Sequence, residues 1–263
     1  MDRAKATSTN AFSGKVCAVT SAEDFDRWYA DRATSPLADD LVRRTLGLPP
    51  GLESTSLLGG QGLDEVVPAL RLAAGRVLLD LACGRGGYGL EIARRTGCRL
   101  VGVDFSAVVV DQARKASDGG DFRVGTLTAT GLSTASVDAV LVVDSVQFAE
   151  SKPDALRECL RVLRPGGRLV ITCWQAAEPA DERVWRRIRE LDLARQLPEA
   201  GFADVEVVDR PEWREQEKRM WEEALATDAP GDPAMASMRK EARSVLETFD
   251  RKRRVLATAT RPR

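Results

Sequence analysis

The stretch Leu79-Asp80-Leu81-Ala82-Cys83-Gly84-Arg85-Gly86-Gly87-Tyr88-Gly89 joins an apolar run to a helical pattern through a glycine-rich turn. A strand that passes directly into a helix in this way belongs to a parallel sheet, whose strands need crossover helices to return the chain. The same alternation recurs. Val77–Ala82, Leu100–Asp104, Asp121–Val124, Val137–Asp144 and Arg168–Trp174 read as strands, and Tyr88–Thr96, the segment after Ser106 and Pro153–Leu163 read as helices. Val137–Asp144 is almost continuously apolar, as a central strand covered on both faces must be. Arg164-Pro165-Gly166-Gly167 breaks the preceding helix. Farther on, Glu182–Leu197 reads as a helix, Val205–Asp209 as a sixth strand and Arg254–Thr260 as a seventh. Between the last two, Trp213, Met220, Trp221, Ala224 and Leu225 share one helical face, as do Met235, Met238, Ala242, Val245, Leu246 and Phe249. Upstream, helices are predicted around Glu23–Ala30 and Leu37–Leu46.

The expectation is an α/β fold in a single domain over residues 21–263, with residues 1–20 as a disordered lead-in. Within it, 21–75 form a cover segment, 76–210 the core sheet, 211–253 a helical cap and 254–263 the last strand. Composition removes several function classes. A net charge of −1 gives no overall pull toward nucleic acid. The basic clusters at Arg183, Arg186, Arg187 and Arg189 and at Arg251–Arg254 read as a solvated helix face and a charged approach to a strand. No apolar run approaches the roughly 20 residues of a membrane span, and the polar first residues lack the core of a signal peptide, so a cytoplasmic location is expected. The chain has no histidine, which rules out His-based triads and bases, and its five cysteines form no C-x-x-C pair, so no metal site is expected.

Gly84, Gly86 and Gly89 satisfy G-x-G-x-x-G, and Asp104 follows roughly twenty residues on, at the end of the next strand. Glycines let backbone approach a ligand, the helix N-terminus faces it, and the acid accepts from ribose hydroxyls. This spacing suits a nicotinamide dinucleotide and S-adenosylmethionine (SAM) alike. Three features separate them: Asp80 four residues before Gly84, the Arg164–Gly167 turn before strand five, and the long insertion before a terminal strand.

On these motifs the chain resembles the class I SAM-dependent methyltransferases, in their small-molecule, actinobacterial-type branch, from about Phe25 to Arg263 and most closely over Leu79–Ile171. The resemblance implies a Rossmann-like, seven-stranded sheet, mostly parallel with its last strand antiparallel, helices on both faces and a helical insertion between strands six and seven. Asp80-Leu81-Ala82-Cys83-Gly84-Arg85-Gly86 is similar to the family's D-x-G-x-G-x-G, with Ala82 in place of the first glycine. Asp104 stands at the ribose acid, Phe105 beside the adenine, and Thr126 and Leu127 at a motif whose usual Asp binds the adenine amino group; a Thr126 hydroxyl would do so more weakly. The loop Asp144–Phe148 would line the methyl-transfer site, with Gln147 where many relatives carry histidine, and Leu163–Gly167 matches a structural turn.

The resemblance further implies in-line transfer of the SAM methyl group to an O, N or C nucleophile of a small molecule, by a monomer or homodimer. Positioning and exclusion of water dominate such a step, and a base is needed only for a protonated nucleophile of high pKa. Without histidine the candidate bases are Asp144, Glu150 and Tyr29. Phe25, Trp28 and Tyr29 lie where relatives form a lid over SAM, and Trp213, Met220 and Trp221 where they roof the acceptor; Gln147, Phe148 and Trp174 complete the candidate pocket. Core packing explains the aromatic stripes equally well. Only seven of 39 cationic residues are lysine, a bias consistent with a GC-rich genome and natural-product metabolism. Two alternatives stay open: a SAM-fold protein that binds without transferring methyl, and a nicotinamide-dependent oxidoreductase.

Overall fold

The structure, a computed structural model, describes residues 35–54, 56–117 and 119–263. The lead-in, the helix expected at Glu23–Ala30, and Phe25, Trp28 and Tyr29 lie outside the described residues. Helices α1 (Pro36–Thr45) and α2 (Gly60–Ala69) precede β1 (Val77–Leu81), α3 (Gly87–Thr96), β2 (Arg99–Asp104), α4 (Ala107–Ala116), β3 (Gly120–Val124) and β4 (Val137–Val143). Then come a 3-10 turn at Val146–Phe148, α5 (Lys152–Val162), β5 (Leu163–Ala176), α6 (Arg186–Arg189), α7 (Leu193–Glu199) and β6 (Ala203–Asp209), with a second 3-10 turn at Phe249–Arg251. The chain closes with α8 (Pro211–Ala226), α9 (Pro233–Glu247) and β7 (Lys252–Thr260). The seven strands form one sheet in the order β3-β2-β1-β4-β5-β7-β6. All pairings are parallel except those of β7, which runs antiparallel between β5 and β6.

Side-chain alternation divides the core. Leu78 faces one side with Ile92 of α3, Val110 of α4 and the apolar stripes of α1, α2, α8 and α9. Val77, Leu79 and Leu81 face the other with Leu156 and Cys159 of α5 and Leu193 and Leu197 of α7. Asp80 has the parity of Leu78, so its carboxyl is directed toward α3. No helix among the described residues is long and apolar enough to cross a membrane.

Two expectations change. The helix predicted over Glu182–Leu197 is two short ones, because Asp192 accepts from the Arg195 amide and starts a new helix after buried Leu191. Strand five begins at Leu163, not Arg168: Gly166, at φ 76°, lets the turn bulge, and its amide donates to the Arg261 carbonyl.

Ala82 occupies the left-handed region at φ 61°, where the related motif has glycine. That conformation costs a residue with a Cβ roughly 1–2 kcal/mol, and glycine returns part of this gain as unfolded-chain entropy. Ala82→Gly is expected to stabilise the fold by about 0.5–1 kcal/mol, read as a higher urea midpoint at unchanged slope.

Candidate active site

The loop after β1 is held by its neighbours. Ala82 and Cys83 donate their amides to the Val103 carbonyl, and Gly86 donates to that of Cys83. Gly84 and Gly86 have φ of 53° and 82°, and a Cβ on Gly86 would come within 2.7 Å of the Phe122 ring. Asp104, at the carboxyl end of β2, is buried; its Oδ2 accepts from the Gly84 amide at 2.9 Å and its Oδ1 from the Ser106 amide at 3.0 Å. These donors fix the orientation of the carboxylate expected to meet a ribose. Phe105 is partly exposed beside it, and Ser106 caps α4 by accepting from the Val109 amide.

Asp80 lies beneath the loop, 2 % exposed, and its Oδ2 accepts from the Gly89 amide at 3.1 Å. Burial pushes its pKa up to about 7, the Gly89 hydrogen bond works against that, and the Asp104 charge adds to it. The start of α3 therefore already faces a carboxyl group. A pyrophosphate seeks that same helix terminus, so Asp80 repels the ligand a dinucleotide fold would place there. Burial likewise raises the Cys83 thiol, which leaves it a buried apolar wall.

Arg85, between the two glycines, was not read as a site residue from the sequence. Its guanidinium is bidentate to Asp39 of α1 at 2.9 and 3.0 Å and also reaches Glu53 at 3.0 Å. The Tyr88 hydroxyl donates to the Ser56 and Leu58 carbonyls. Together they bind α1, Glu53, Ser56 and Leu58 across the loop.

Thr126 and Leu127 differ in placement. Thr126 is exposed in a turn closed by its backbone bridge to Ala129, with its Oγ1 3.3 Å from that of Thr128; Leu127 packs against the core beneath the sheet.

At the carboxyl ends of β4 and β5 lies a buried charge cluster. Arg254, 1 % exposed, donates to Asp144 Oδ1 at 2.6 Å and Oδ2 at 3.1 Å. Thr172 Oγ1 donates to Oδ1 and the Leu57 amide to Oδ2. All four lone-pair positions of the Asp144 carboxylate are thus taken. A base must have a lone pair to offer the acceptor, so this arrangement corrects the base role read for Asp144 to that of an anchor. Arg254, expected in a charged approach to a strand, is the most buried charged side chain among the described residues; burial opposes its charge, but Asp144 and Glu217 outweigh it and raise its pKa. Its Nε lies 3.5 Å from Glu217 Oε2. Glu217 Oε1 accepts from the indoles of Trp174 at 3.2 Å and Trp221 at 3.1 Å. Burial lifts the Glu217 pKa to about 7, against the pull of Arg254.

Trp174 and Trp221 therefore meet at the carboxyl end of β5, joined through one carboxylate. Trp213 does not: it is buried against α2, where its indole donates to Glu65 at 3.0 Å, so the roof role read for it becomes core packing. Gln147 is buried and donates to the Asp144 carbonyl; Phe148 is partly exposed, with the Arg187 guanidinium 4.6 Å from its centroid. Glu150 is exposed and borders a separate groove with Thr128, Asp154, Arg157 and Arg161. Tyr29 lies outside the described residues. Among those residues no cluster of metal-ligating side chains occurs. What the sequence concealed is Arg254 and Glu217, each one charge in a charge-rich stretch.

Removing one partner from a buried ion pair strands the other, at a cost of about 3–5 kcal/mol. Arg254→Met is expected to lose that much stability in urea. Glu217 binds its proton more tightly folded than unfolded, so the stability it contributes is complete below its ordinary value of 4.5 and is lost as pH rises through about 7. Unfolding curves across this window should show wild type losing stability relative to Glu217→Gln; a constant difference between them would contradict the raised pKa.

Residues 79–171 match the family model described as a methyltransferase domain. Phosphoethanolamine N-methyltransferase 1 of Triticum aestivum is 28% identical over 165 residues, 58% of this chain and 33% of the relative. The malonyl-[acyl-carrier protein] O-methyltransferase of Enterobacter lignolyticus is 34% identical over 125 residues, 47% of this chain and 48% of the relative. The chain thus spans a third to a half of these relatives. The solved Haemonchus contortus phosphoethanolamine N-methyltransferase 2, in complex with phosphomonomethylethanolamine and S-adenosylhomocysteine, aligns with a TM-score of 0.72 at 21% identity, over 93% of this chain and 61% of that one. The sheet order, the glycine loop with its two acids and the matched segment agree: residues 79–171 match a methyltransferase domain, and the fold around them is that of solved SAM-dependent methyltransferases.

Proposed function

We propose that the protein binds SAM and transfers its methyl group to a nucleophilic O, N or C atom of a small molecule. The observation that carries this reading is the pair of buried acids flanking the glycine loop. Asp80 meets the amide of Gly89 at the start of α3, and Asp104 meets that of Gly84 at the end of β2. A ligand that brings a cationic sulfonium and ammonium near Asp80 and a ribose diol near Asp104 satisfies both acids; a dinucleotide pyrophosphate opposes the first. Cys83 and the backbone of Gly84–Gly86 would line the same ligand, with Phe105 and Thr126 toward its base.

SAM supplies an activated methyl group on a good leaving group, and what the chain contributes is position and dryness. Arg85 and Tyr88 hold the 52–58 segment over the loop, which keeps water from the donor. Asp144, locked by Arg254 and Thr172, fixes the turn that presents Gln147 and Phe148 to the acceptor. Glu217, buried and holding the indoles of Trp174 and Trp221, fixes the aromatic wall beside that turn. The small-molecule branch, a natural-product setting and a cytoplasmic location belong to the same reading; they rest on the motif resemblance, the arginine bias and the lack of long apolar runs.

Hydrogen bonds to a charged acceptor are worth about 1.5–3 kcal/mol each. Asp104→Asn is therefore expected to weaken S-adenosylhomocysteine binding by at least about tenfold, measured by isothermal titration with folding checked by circular dichroism. Tighter binding of NAD(H) than of SAM by the wild type would overturn the proposal.

A further inference from the structure

Lys252 opens β7 opposite Ala176, the last residue of β5. Its side chain is buried, with 5 % of the residue exposed, yet its ammonium makes one hydrogen bond, to the Val245 carbonyl at 3.2 Å. Among the described residues no carboxylate lies within 4.0 Å of it. What surrounds Nζ instead is aromatic: Trp174, Trp185 and Phe249, with ring centroids at 5.4, 5.8 and 5.9 Å. Glu217, the acid that acts on it from α8, is already committed to two indoles and faces Arg254.

Ring faces offset only part of the cost of burying a cation, and an ammonium with two idle N–H groups is an expensive feature of a core. Its pKa falls to about 8, chiefly through burial, with Glu217 opposing and Arg187 reinforcing the fall. A second cation shares the Trp185 ring: the Arg187 guanidinium stands 4.4 Å from its centroid and 4.6 Å from that of Phe148. These groups gather where β4 and β5 end, beside Trp174 and the Asp144–Phe148 turn, on the acceptor side of the candidate site.

We propose that Lys252, with Arg187 beside it, is the anion subsite of the acceptor pocket, and that the methyl acceptor carries a carboxylate or phosphate group bound by the Lys252 ammonium. This rests on the methyl-transfer reading of the site. The anion supplies the hydrogen-bond acceptors and countercharge that the fold withholds. The Arg187 guanidinium, over the Trp185 and Phe148 rings, adds positive potential at the same place, and the neighbouring aromatics pack on the acceptor's apolar part.

The test uses the full chain saturated with S-adenosylhomocysteine and titrated calorimetrically with inorganic phosphate and, separately, acetate. Wild type is expected to bind one of them saturably, and which one names the anion class. Lys252→Met should weaken that binding by about tenfold or more, leave the S-adenosylhomocysteine affinity within about twofold, and raise the Tm, since a buried charge held for a ligand costs the free protein stability. Should Lys252→Met fail to fold, Arg187→Gln, at a half-buried position, should still weaken anion binding by several-fold. Wild type that binds S-adenosylhomocysteine but neither anion, or variants that bind the anion as wild type does, would overturn the subsite alone. Failure to bind S-adenosylhomocysteine would overturn the methyl-transfer reading itself.

Discussion

The bidentate pair between Arg254 and Asp144 is the contact on which the acceptor end of the molecule depends. It links β7 to the end of β4, across the intervening β5, and Asp144 extends the link to the 52–58 segment through the Leu57 amide and to β5 through Thr172. Glu217 adds α8, and through its two indole donors the rings of Trp174 and Trp221. An apolar core of the same volume would hold these elements together as well, or better. What the polar cluster adds is direction: a hydrogen-bonded carboxylate and guanidinium fit in one arrangement, whereas apolar side chains slide. The cluster therefore sets the register in which the late helices lie over the sheet.

The two halves of the candidate site bury different charged groups. Around β1 and β2 the buried groups are acids, Asp80 and Asp104, whose mutual repulsion is relieved by a cationic ligand. Around the ends of β4 and β5 two cations, Lys252 and Arg187, share the Trp185 ring. A cationic donor on one side and an anionic acceptor on the other would each be drawn to its own half. Such a division orients both partners before any contact specific to the transferred methyl group is made.

Evolution of a fold with an antiparallel last strand has a local consequence here. Because β7 runs antiparallel to β5, its first residues, not its last, lie at the carboxyl end of that strand. Lys252 and Arg254 thus come to the site from a position 150 residues or more beyond the glycine loop in sequence. The parity of β7 directs both toward α8 and α9, while Arg253 between them pairs with Gln175 on the opposite face.

By itself, the sequence determined the alternating strand–helix order, the glycine loop, the caps at Ser106 and the placement of Asp80 and Asp104. All of these are written in short-range patterns: period-two and period-3.6 apolarity, turn chemistry and fixed spacing. It left Glu182–Leu197 as one helix because periodicity does not register a cap that restarts the chain at Asp192. Only the tertiary structure decided that Asp144 is an anchor, that Trp213 is core while Trp174 and Trp221 meet over Glu217, and that Lys252 is buried with no carboxylate of the described residues within ion-pair distance. Each of those outcomes depends on which distant side chain arrives opposite, and a charge looks the same in a sequence whether water, a carboxylate or three aromatic rings will surround it.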